Sequence, residues 1–118
     1  MQYICLIYSN EADEANQSQE EWGAVMAEYN AFTKAARDAG VMVSGEAFHP
    51  TKEARTVHVS NGSASLSAGP AVTTGIQLGG MYILETPGID AAVQWAAKIP
   101  GARHGKVEVR PLVDFSQS

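Results

Sequence analysis

An α+β fold, with an antiparallel sheet carrying two helices on one face, follows from three features of this 118-residue chain. Two short segments, residues 2–8 (QYICLIY) and 78–85 (LGGMYILE), are rich in β-formers and apolar on both faces. Strand side chains alternate between faces, so such segments belong in the middle of a sheet with something covering each side. Two further segments repeat apolar residues at spacings of three and four, the mark of amphipathic helices. The predicted order of elements is strand, helix, strand, inserted hairpin, strand, helix, strand.

Each element has its own local warrant. Residues 2–8 place Tyr3, Cys5 and Ile7 on one face and Ile4, Leu6 and Tyr8 on the other. The acidic stretch 9–17 reads as a solvated loop, and Ser18 followed by Glu21 forms a capping box. Trp22, Val25, Met26, Tyr29, Phe32, Thr33 and Ala36 then mark one helix face, with Gly40 as a left-handed cap. Residues 41–48 (VMVSGEAF) read as a strand with Met42, Ser44, Glu46 and Phe48 on one face, and Gly45 as a bulge or a close approach.

Asn61-Gly62 is a type I′ hairpin signal. Folding residues 55–67 there sets Val57 opposite Leu66 and Val59 opposite Ala64 on an apolar face, and His58 opposite Ser65 on a polar one. The glycine-punctuated stretch 69–80 then leads into the second central strand. Thr86 and Pro87 suit a helix start, Ile89, Ala92, Val93, Ala96 and Ile99 make its stripe, and Pro100-Gly101 stops it. Residues 106–110 (KVEVR) alternate strictly, as an edge strand with Lys106, Glu108 and Arg110 on the face away from the helices.

Two βαβ units side by side with right-handed crossovers give a ferredoxin-like βαββαβ arrangement with an inserted β-hairpin. Both two-faced strands are then central, yet helices cover only one side. Burying even about 400 Å² of the uncovered side would favour association by roughly 10 kcal/mol before the entropic cost of binding. The expectation is a homodimer through the helix-free sheet face.

Composition narrows the rest. The chain is expected to be a single domain spanning residues 1–118, at 45% hydrophobic and 18% charged residues. A formal charge of −5, with its eight Lys and Arg scattered singly, offers no basic stripe for nucleic acid or an anionic membrane. No signal-peptide pattern or membrane-length apolar run is present, so a cytoplasmic location is expected. Cys5, the one cysteine, reads as a buried structural thiol. His49, His58 and His104 show no metal-ligand spacing with it, and the glycines form no phosphate-binding motif, so no metal or cofactor is expected.

Four segments carry a resemblance over nearly the whole length: QYICLIY, AFTKAARDAGVMVSGEAF, AGPAVTTGIQLGGMYILE and AVQWAAKIPGARHGKVEVRPL. Together they resemble the YCII-related family, specifically its DGPF branch. That resemblance implies a dimeric α/β barrel with a cleft between helices and sheets. It also implies a third role, an accessory protein acting by protein contact near alternative sigma factors. The motif that names the branch is degenerate, because Ala68-Gly69-Pro70-Ala71 stands where Asp-Gly-Pro-Phe is usual. The first-helix histidine of YCII proteins proper has no counterpart either, since no histidine precedes His49.

The leading functional expectation is a homodimer that binds a small organic ligand in an apolar cleft, with Gln77, Tyr82, His49 and His58 as candidate cleft residues. The alternative is a cofactor-independent enzyme with Glu46 as acid or base. Gly45-Glu46 matches the family pattern, and a carboxylate desolvated beside Met42 and Phe48 would be basic. The bland reading of Glu46 is an ion pair with Arg55 or Lys52.

Overall fold

A computed structural model describes residues 1–116. Strands β1 (Gln2–Ser9), β2 (Met42–Ala47), β5 (Gln77–Glu85) and β6 (Lys106–Pro111) form one antiparallel sheet in the order β2-β5-β1-β6. β3 (Arg55–Ser60) and β4 (Ser63–Ala68) pair as a separate two-stranded sheet. Helices α1 (Glu11–Ala15), α2 (Gln19–Asp38), α3 (Ile89–Ala96) and α4 (Gly101–His104) complete the chain, with a single 3-10 turn at Thr51–Glu53. This mixed α+β architecture is compatible with a ferredoxin-like fold. The two segments apolar on both faces are the two central strands.

The core lies between the sheet and the helices. Cys5 and Ile7 of β1 and Tyr82 and Leu84 of β5 are buried there with Phe32 and Ala36 of α2, Ala96 of α3 and Ile99. Phe32 meets the Tyr82 ring edge to face at 5.0 Å between centroids, and Trp95 similarly at 6.3 Å. The Tyr82 ring packs against β2 at Gly45, where a Cβ would sit 2.6 Å from a ring carbon. Gly45 therefore marks a close approach, and only hydrogen fits there.

Several local details differ from the sequence expectation. Residues 9–17 are not all loop: Asn10 accepts a hydrogen bond from the Asp13 amide and caps α1. Gly88, not Thr86, is the N-cap of α3, and the Thr86 hydroxyl donates to the Gly88 carbonyl. α3 ends at Ala96, before the expected stop at Pro100-Gly101, and Pro100 instead caps the short helix α4, since a missing amide costs nothing at a helix start. Along β2, Val43 is an extra residue between the pairs Met42–Leu84 and Ser44–Ile83. That bulge puts Met42 on the helix side, so Met42 and Glu46 no longer share a face.

The Cα trace measures 49 × 47 × 18 Å, a flat slab. Its thickness suits one helix layer on one sheet, with layers spaced by about 10 Å. α2, twenty residues and about 30 Å long, is longer than the six-residue edge strand β2, at about 20 Å, and it buries only Phe32 and Ala36, both in its second half. Trp22 and Met26 in its first half are half exposed.

Candidate functional site

Directly opposed residues on paired strands share a face, so the helix-free side can be read from the pairing. Ser44, Ile83, Ile4 and Arg110 form one row across it, and Glu46, Met81, Leu6 and Glu108 the next. Leu78, Tyr8 and Lys106 form a third. The centre is thus an apolar band two strands wide. Ile4, Leu6, Tyr8, Leu78, Met81 and Ile83 are each only partly buried there. A bulge at Gly79 keeps Leu78 on this face, because without the extra residue it would point to the helices.

At the Tyr8 end a hollow of about 470 Å³ opens, lined by Tyr8, Thr74, Ile76, Lys106, Val107 and Glu108. This volume lies within the range of small-molecule sites. Its polar groups are few. Glu108 is neutralised by Arg110, whose Nε lies 2.8 Å from the carboxylate. Among the described residues Lys106 has no ion-pair partner, so its ammonium is the unbalanced charge of the hollow.

The loop forming one wall is braced from behind. Gln77 donates to the Thr74 carbonyl at 3.1 Å and accepts from the Glu11 amide at 3.1 Å. Glu11 in turn accepts from the Thr51 amide at 3.1 Å. One side chain thereby ties α1 and the 74–76 loop together, and Glu11 extends the tie to the 3-10 turn.

The five residues singled out in the sequence fall in different places. Gln77 is this brace beside the hollow. Tyr82 is buried in the helix-side core, its hydroxyl 3.3 Å from the Thr33 hydroxyl. Glu46 is exposed on the helix-free face at the β2 margin, opposite Met81, and is not in an ion pair with Arg55 or Lys52. His49 is exposed, with Nδ1 3.4 Å from Glu53, and His58 lies on the hairpin opposite Ser65. None of the five lines the hollow. Tyr8, Lys106 and Glu108 do, and their signal was the strict alternation of KVEVR and the two-faced first strand. Thr74 and Ile76 carried no local pattern that could place them.

A second hollow, about 430 Å³, lies on the helix side among Phe32, Trp95, Lys98 and Arg103. Its cations are engaged: Arg103 pairs with Glu28, and the Lys98 ammonium sits 4.4 Å from the centre of the Trp95 ring. Burial pushes the Cys5 thiol up to about 11, against a nucleophilic role. Burial, reinforced by nearby Tyr82, also raises Tyr29. Among the described residues, no three His, Cys, Asp or Glu side chains gather as a metal-ligating group, and no helix is long and apolar enough to cross a membrane.

The family model described as the YCII-related domain matches residues 1–116. The chain is also similar to an uncharacterized protein of Rhizobium meliloti (strain 1021), 32% identical over 114 residues, which cover 95% of this chain and 92% of that protein. With a match spanning every described strand and helix, the chain belongs to the YCII-related family.

Proposed function

We propose that this protein is a homodimer, paired through its helix-free sheet face, that binds a small organic acid in the hollow at the Tyr8 end of that face. The single observation that carries the reading is the apolar band of Ile4, Leu6, Tyr8, Leu78, Met81 and Ile83, ending at an unbalanced Lys106. A band of this kind favours burial against a second copy of itself. Ile76 and the Tyr8 ring would hold the apolar body of the ligand, and Lys106 its carboxylate. Glu46, on the same face, is the residue through which an acid–base activity would act.

Two measurements test the reading. Sedimentation equilibrium should give a dimer, and Leu6→Lys, which sets a charge in the middle of the band, should weaken it at least about 100-fold. A thermal-shift panel of small carboxylic acids and their neutral amides should raise the melting temperature with acids only, and Lys106→Met should lower that affinity about tenfold or more. A monomeric wild type, or a panel in which amides and acids behave alike, would overturn it.

A further inference from the structure

The β3–β4 hairpin has no role in the site just described, and its surface is unusual for a free one. Val57, Val59 and Leu66 share one face and are 62%, 60% and 69% exposed. Among the described residues, the only extended packing of either strand is against the other. An isolated two-stranded hairpin is marginal in water at best. Both of its outer edges offer unpaired backbone groups, and residues 56–68 (TVHVSNGSASLSA) contain no Lys, Asp, Glu or Pro to block further pairing.

The base of the hairpin, by contrast, is held firmly. The Gly69 amide donates to the Ala54 carbonyl at 2.8 Å, and the Thr56 hydroxyl donates to the Gly69 carbonyl at 2.9 Å. Arg55 Nη1 donates to the Ala54 and Lys52 carbonyls, and Glu11 anchors the preceding 3-10 turn. The arm therefore leaves the body at a defined angle. The 18 Å slab leaves no room for it as a third layer over its own sheet.

We propose that the β3–β4 hairpin is an arm whose apolar face, Val57, Val59, Ala64 and Leu66, clasps a second copy of this chain. The inference rests on the homodimer part of the reading above and adds a contact distinct from the sheet face. The area argues for a second copy as occupant. The chain exposes 8148 Å², whereas a compact monomer of 12.5 kDa exposes about 6,200 Å². The excess, about 2,000 Å², is on the order of one partner's share in an obligate dimer. The arm is also almost uncharged beyond Arg55, which suits a self-complementary contact and gives nothing to select an oppositely charged partner.

The test uses two variants of the whole protein and sedimentation equilibrium. Val57→Thr, Val59→Thr and Leu66→Thr together place β-branched strand formers at all three positions while removing the apolar face. Replacing residues 55–68 by Gly-Ser removes the arm outright, a short closure because Ala54 and Gly69 are already hydrogen-bonded. Both should raise the dimer dissociation constant at least about tenfold, with far-ultraviolet dichroism unchanged in the threonine variant and the helical signal retained in the deletion. If both dimerise like the wild type while Leu6→Lys dissociates, the arm proposal is overturned and the sheet-face reading stands. If both weaken the dimer and Leu6→Lys does not, the arm stands and the sheet face falls. A wild type that is monomeric at about 100 μM, far above an obligate dimer's range, overturns both.

Discussion

Cys5 shows how position in a strand decides the chemistry of a side chain. It alternates inward with Tyr3 and Ile7, is fully buried, and its thiol is raised from 9.0 to about 11 by loss of water. Between those two values the folded chain keeps a proton that the unfolded chain releases. The contribution of Cys5 to stability is therefore fully present below about pH 9 and is lost as pH rises toward 11. At about 1.4 kcal/mol per pH unit, the loss by pH 11 is on the order of 2–3 kcal/mol. Urea unfolding followed across this range should show the decline, and Cys5→Ala should flatten most of it, leaving the contribution of Tyr29 at the upper end. Equal slopes in the two proteins would mean that the thiol is not desolvated. The inward direction of Cys5 was readable from QYICLIY. The position of Glu46 was not, because the bulge at Val43 depends on how β2 fits against β5 and Tyr82.

Among the elements, α2 was the most legible. Ser18 accepts from the Glu21 amide at 3.1 Å, and Gly40 adopts φ +72° just past the helix end. Ser18→Ala should cost about 1 kcal/mol. Because Trp22 and Met26 are half exposed and the buried residues of α2 are Phe32 and Ala36, little packing holds the first turns, so amide exchange over residues 19–26 should accelerate more than over 29–36. Uniform acceleration would show that the cap supports the whole helix equally. The stripe Ile89, Ala92, Val93, Ala96, Ile99 was only half informative. Ala92, Ala96 and Ile99 are buried, while Ile89 and Val93 are nearly half exposed, since a stripe gives a helix face but not how much of it the sheet reaches. At Asn61-Gly62 both residues have positive φ, 53° and 79°, and the strands pair Val57 with Leu66 and Val59 with Ala64.

The molecule as a whole is a slab whose two broad surfaces differ: one carries helices over a closed core, the other a half-open apolar band. Two slabs of 18 Å stacked at a sheet separation of about 10 Å would measure about 46 Å through, close to the 49 × 47 Å of each slab. Small-angle scattering should accordingly report a nearly isometric particle of twice the chain mass, and a disc-like particle of single mass would contradict the stacked arrangement. What could be read from residue order alone was much of what local periodicity and turn chemistry govern: the central strands, the inward Phe32 and Ala36 of α2, the Asn61-Gly62 register, and the charged outer face of KVEVR. Tertiary packing settled the rest: which side of β2 carries Met42, how Gln77 and Glu11 brace the loop, and why Tyr8, Thr74 and Lys106 meet. Those features depend on bulges and on contacts between residues distant in the chain, and no period of 2 or 3.6 encodes them.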